Sequence, residues 1–218
     1  MQKSKSYSVK QMVMLALLAS IAYMMVSLIR IPVVLFLKYE PKDVIITIGG
    51  FLFGPMASFV VSLLVSLIEM VTISETGPIG ALMNLLSTCC FACTAALIYK
   101  RKRTISGAIL ALVVGSVFMT CAMLLWNWLI TPIYMGYPRE TVAAMLVPMF
   151  LPFNLLKAGL NSAFVLCLYK PLVTALRKTG LVASREQVGS GSKAGASLLG
   201  LLLLGTCILL LLVFQGKL

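Results

Sequence analysis

The stretch PMFLPFNLLKAGLN, residues 148–161, is apolar enough to lie in a membrane, yet it carries Asn154, Lys157 and Asn161. These three stand three and four residues apart, so on a helix they share one face. An ammonium at mid-span costs roughly 2.5–3.5 kcal/mol on insertion scales, so a lysine there requires a partner or a ligand. Outward from this segment the whole chain reads the same way. Of its 218 residues 61% are apolar and only 11% charged, and its mean hydropathy is +1.05. Soluble domains carry about 25% charged residues, so the composition specifies an all-α integral membrane protein forming one compact bundle.

The charge balance, 18 Lys+Arg against 6 acids, suggests nucleic acid until the positions are considered. The basic residues flank apolar runs, where they set orientation and meet anionic membrane lipid, so no nucleic-acid partner is expected. Six cysteines fall within apolar runs, and Cys90 and Cys93 form a C-x-x-C. With no histidine and no second C-x-x-C, these read as small packing residues and no metal is expected.

Span 1 follows the basic segment Met1–Lys10 and covers Gln11–Ile29, with Ala16, Ala19, Ser20 and Ala22 as small side chains for close helix approach. Arg30–Asp43 is broken by Pro32 and Pro41 and is expected as a semi-extended loop folding back over the bundle. Asp43 suits the start of the next helix as a cap or first-turn acid. That second span, Val44–Phe53, covers only about 15 Å, so it must begin in a protein-lined crevice or lie steeply inclined. Pro55 opens span 3, Met56–Ile73, with Glu69 near its far end, and the SETGPIG turn leads into span 4, about Ala81–Tyr99.

Span 5, about Thr104–Leu129, carries Trp126-Asn127-Trp128, and Ile130–Glu140 reads as a loop. Span 6, about Thr141–Tyr169, should kink at Pro148 and Pro152. Residues 179–196 read as a polar flexible linker whose GSGSKAG only loosely resembles a phosphate loop, and residues 197–214 read as a seventh, lipid-facing span. Residues 1–178 thus form a six-span bundle. The amino terminus, the KRKR run at 100–103 and the 170–193 segment hold twelve of the eighteen basic residues, which places these parts in the cytoplasm.

In that arrangement Glu69, Asn84, Asn127, Asn154 and Lys157 fall at one depth, beneath the loops at 30–43, 74–80 and 130–140. This outlines an outward-facing pocket for a small polar or aromatic molecule. Asparagine amides offer both donor and acceptor, which suits an imide edge, and the lysine adds a donor for a carbonyl oxygen. A Glu69–Lys157 pair tying spans 3 and 6 together is the structural alternative. The chain has no histidine, no paired carboxylates and no activated nucleophile, so an enzyme is not expected. It also has no nucleotide-binding loop, so any use of ATP belongs to another chain.

FLKYEPKD (36–43), GGFLFGP (49–55), SETGPIG with the following Met83-Asn84, KRKR and PFNLLKAGLN together resemble the riboflavin-specific substrate-capture (S) component of energy-coupling factor (ECF) vitamin transporters. The resemblance covers about Lys10–Lys178. It implies a six-helix S-component bundle in a bacterial plasma membrane, with riboflavin bound as transported ligand and not as cofactor. It implies that Asn127, Asn154 and Lys157 hold the polar edge of the flavin, that Asn84 lines the pocket, and that Leu37, Lys38, Tyr39 and Glu40 contact ligand from the first loop. Docking onto a shared ECF transmembrane subunit driven by two ATPase subunits is implied through Ala16 and Ser20, where the family has Ala-x-x-x-Ala. The seventh span has no place in the six-span pattern. An autonomous secondary transporter, with Glu69 and Lys157 relaying a proton, is the other functional class these residues allow, and a purely structural scaffold a third.

Overall fold

The computed structural model describes residues 8–34, 37–74, 76–178 and 193–214. Helix α1 (Val9–Leu28) starts at a capping box, in which Ser8 and Gln11 satisfy each other's backbone N–H groups. Two short strands, β1 (Ile31–Val34) and β2 (Leu37–Tyr39), pair antiparallel with Ile31 opposite Tyr39. The expected semi-extended loop is therefore a hairpin. Its backbone groups bond across the ladder, which suits a segment that leaves water to cover a site.

Helix α2 (Lys42–Phe53) is short, about 18 Å at the helical rise, and almost wholly buried. It begins inside the bundle, one of the two arrangements its length allowed. Helix α3 (Pro55–Thr72) follows after Gly54, whose φ of 98° allows the sharp reversal, with Pro55 at the first helical position. The next run is α4 (Gly77–Thr88), a π-helical turn over Cys89–Cys93, and α5 (Thr94–Arg101). Helix α6 (Ile105–Met135) passes through Pro132 and ends at Gly136 in a left-handed conformation. The connection expected at 130–140 thus shrinks to a few residues. The last run of the bundle is α7 (Arg139–Met145), a π-helical turn over Leu146–Phe150, and α8 (Leu151–Lys178). Pro148 and Pro152 each remove a backbone donor there, which accounts for the widened turn.

Among the described residues, five helical runs are long and apolar enough to cross a membrane: Val9–Leu28, Pro55–Thr72, Gly77–Arg101, Ile105–Met135 and Arg139–Tyr169. Small residues let them approach closely. A Cβ on Gly50 of α2 would lie 2.0 Å from the Ser58 hydroxyl and 2.8 Å from Ala96. One core cluster, including Ala22, Val44, Ile48, Val61, Phe91, Ala111 and Leu112, joins α1–α6. The second joins Val33, Leu37 and Tyr39 of the hairpin to Phe150, Phe153, Leu156 and Leu160.

Helix α9 (Lys193–Phe214) packs along α8, and its Cys207 belongs to the second cluster. The helix begins at Lys193, ahead of the span expected at 197–214, and the remainder of the expected linker, 179–192, lies outside the described residues.

Candidate functional site

An open-mouthed cavity lies at the hairpin end of the bundle. Arg30, Leu37, Lys38, Glu40, Glu69, Asn84, Ser87, Asn127, Asn154 and Lys157 contribute to its wall, with apolar surface from Met70, Met83, Met123 and Phe153. The residues singled out in the sequence therefore converge, with one exception. Tyr39 is not part of the wall; it is buried, and its hydroxyl donates to Asn161 Oδ1 at 3.1 Å. Burial, and after it the nearby Asp43 carboxylate, push the Tyr39 phenol above its ordinary pKa, so it stays protonated and donating.

Both asparagines of the expected polar edge are fixed by their own helices. Asn127 Nδ2 donates to Met123 O at 2.7 Å, and its Oδ1 accepts from Thr131 at 2.9 Å. Asn154 Nδ2 donates to Phe150 O at 2.7 Å, a carbonyl in the widened π turn. An amide has two N–H groups and two carbonyl lone pairs, so these bonds leave each with donor and acceptor capacity for a ligand. Both side chains are locked before anything binds.

The charged groups pair differently from the expectation. Lys157 does not reach Glu69. Its ammonium donates to Ser87 Oγ at 3.3 Å and lies 3.4 Å from Asp43 Oδ2. Glu69 is held instead by Lys42, at 2.6 and 2.5 Å, and accepts from Asn84 Nδ2 at 3.1 Å. Lys42 also sits 2.9 Å from Glu40, and Arg30 joins Glu40 at 3.4 Å while donating to Ile73 O at 2.9 Å. Asp43 stands in the first turn of α2, the second of its two expected places, and does not cap the helix: it is 1% exposed and accepts from Thr88 at 2.6 Å and Asn161 at 3.2 Å. The cause is the depth of α2. Because its first turn starts within the bundle, Lys42 and Asp43 emerge between α3, α4 and α8, where Lys42 holds Glu40 and Glu69 of the cavity wall and Asp43 lies behind Lys157. Their adjacency at the start of an unusually short span was the available signal for a role beyond capping.

On α1, Ala16 and Ser20 are exposed, whereas Ala19 and Ala22 face the core. The four small residues thus divide between two faces, and only the first pair is open to a partner. Ser20 Oγ donates to Ala16 O at 2.9 Å, so the hydroxyl is satisfied within the helix and the face stays compatible with an apolar neighbour. Among the described residues no group of acids and cysteines is arranged to hold a metal ion.

Residues 10–169 match the family model for the ECF transporter substrate-specific component, a match that ends before α9 begins. Curated relatives include the riboflavin transporter RibU of Staphylococcus aureus (strain TCH60), 26% identical over 178 residues, spanning 78% of this chain and 93% of that protein. The riboflavin transporter FmnP of Bacillus subtilis (strain 168) is 27% identical over 161 residues, 68% of this chain and 84% of that protein. The riboflavin transporter RibU of Streptococcus thermophilus (strain ATCC BAA-250 / LMG 18311) is 26% identical over 181 residues, 78% and 85% of the two chains. A solved chain described under "Structure and mechanism of the S component of a bacterial ECF transporter" superposes with a TM-score of 0.65 at 28% identity, covering 77% of this chain and 98% of that one.

Proposed function

The chain belongs to the family of substrate-specific components of ECF transporters, and from that premise we propose that it captures riboflavin in the cavity beneath the 31–39 hairpin. The observation that carries this reading is the convergence of Asn127, Asn154 and Lys157 on one wall, each with polar capacity unspent on its own helix. The polar edge of a flavin ring alternates C=O, N–H and C=O. Two amides and an ammonium match that pattern, with an amide oxygen accepting from the N–H and the remaining donors serving the two carbonyls. Met70, Met83, Met123 and Phe153 offer apolar surface to the ring faces. Glu40, Glu69, Asn84 and Ser87 supply donors and acceptors for a polyhydroxylated side chain. The three relatives named for riboflavin transport favour the same ligand.

In this reading the protein is a binding and delivery subunit of an importer, with no turnover of its own. The KRKR end lies in the cytoplasm, along with the amino terminus, and the hairpin end faces outward. Energy comes from a shared ECF transmembrane subunit and two ATPase subunits, which the exposed Ala16–Ser20 face of α1 meets. Helix α9 crosses the membrane as a seventh span on the far side of α8. The proton relay needed by an autonomous transporter finds no support in the geometry, since Glu69 and Lys157 are committed to different partners.

Purification from riboflavin-supplied cells tests the reading. The protein should carry a yellow flavin chromophore, and the stripped protein should rebind riboflavin at or below micromolar concentration. No binding at that level would falsify it. Vesicles containing this chain alone should bind riboflavin without accumulating it, whereas vesicles with the energising subunits and ATP should accumulate it.

A further inference from the structure

Lysine has a long, freely rotating stem, so a lysine that recognises one ligand atom must be held by something besides the ligand. Lys157 is held from two other elements, by Ser87 on α4 at 3.3 Å and by Asp43 on α2 at 3.4 Å. Asp43 is itself immobile. It is 1% exposed and anchored by Thr88 at 2.6 Å through one oxygen and by Asn161 at 3.2 Å through the other. It is not part of the cavity wall, so it does not meet the ligand; Lys157 is.

We propose that Asp43 is the positioning residue of this site, its carboxylate fixing the direction from which Lys157 donates to a ligand carbonyl oxygen. This rests on the reading of Lys157 as a riboflavin donor. An ammonium has three N–H bonds. One donates to Ser87, the Asp43 carboxylate at 3.4 Å holds the ammonium by charge, and donor capacity is left for the cavity that Lys157 lines. Without Asp43, the anions left to draw the ammonium are Glu40 and Glu69, which line the same cavity and are paired with Lys42. A lysine drawn to them no longer donates where the ring edge lies.

The test is a mutant cycle on the full chain in detergent, read by riboflavin titration and by the visible absorption of the bound flavin. Asp43→Asn should raise the riboflavin Kd about tenfold when Lys157 is present and less than about twofold when position 157 already carries Lys157→Met, the non-additivity expected of residues acting as a unit. The absorption band of the bound flavin in Asp43→Asn should move toward that of Lys157→Met, because both lose the same donor. Equal losses in the two backgrounds, or no loss in the first, would overturn the role of Asp43. Should Asp43→Asn not be recovered folded, Asp43→Glu, which keeps the charge but displaces it by one methylene, is judged in the same two backgrounds by the same criterion. Failure of the unaltered chain to bind riboflavin overturns the ligand assignment as well, and so differs from a failure confined to the Asp43 variants.

Discussion

The Lys42 ammonium lies 2.6 and 2.5 Å from the two carboxylate oxygens of Glu69, with both side chains nearly inaccessible to solvent. This pair joins the first turn of the short, buried helix α2 to the far end of α3. Through Glu40 and Asn84 it extends to the hairpin and to α4. A buried pair of this kind adds little net stability over apolar residues, yet losing one partner strands the other charge.

Lys42→Met should therefore destabilise the protein by about 3–5 kcal/mol, and a double Lys42→Met/Glu69→Met variant should recover most of the loss. Unfolding in detergent of the two variants beside the unaltered protein measures this. A double variant no more stable than the single one would show that Glu69 draws its support elsewhere.

Asn154→Ala should weaken riboflavin binding by about 1–2 kcal/mol, and Lys157→Ala by about 1–3 kcal/mol, because each leaves a ring-edge atom without its partner. Fluorescence titration reads both. An unchanged affinity would remove that residue from the ring edge.

Tyr39→Phe removes the hydroxyl that ties the hairpin to Asn161 of α8. Riboflavin should dissociate several-fold faster, for a lost bond worth about 1 kcal/mol, with stopped-flow dissociation as the measure. Burial raises the phenol above its ordinary pKa of 10.0, which favours the protonated form in the folded protein. That contribution to stability is complete below pH 10 and declines above it, as tyrosine ionises first in the unfolded chain.

Gly50→Ala places a methyl where Ser58 Oγ lies 2.0 Å and Ala96 Cβ 2.8 Å away. Ser58 cannot simply turn aside, since its hydroxyl donates to Ile46 O at 3.1 Å. The expected cost is about 1–3 kcal/mol, and thermal unfolding should show it. A variant as stable as the parent would mean that α2 and α3 can separate without penalty.

Ala16→Trp and Ser20→Trp add bulk to an exposed face and should leave riboflavin binding intact while abolishing association with the ECF transmembrane subunit and uptake. Co-purification with the energising subunits distinguishes the two effects. Undiminished association would move the docking surface off this side of α1.

The features legible in the amino-acid order are local and periodic. Apolar runs broken by Gly-Pro turns gave the helices and their order, and the spacing of Asn154, Lys157 and Asn161 put one polar face on α8. The shortness of the 44–53 run also restricted that helix to a start in a protein-lined crevice or a steep inclination, since ten residues cannot reach both surfaces. Which charge meets which emerges only from the packed helices. Glu69 and Lys157 were the two buried ions visible inside long spans, yet they do not pair. Lys42 and Asp43, which read as residues at the edge of a loop, take those positions instead. Pairing depends on the depth and rotation of α2 against three other helices, and no spacing within one segment encodes that. The same holds for Tyr39, whose hydroxyl reaches Asn161 while its neighbours Leu37, Lys38 and Glu40 line the cavity.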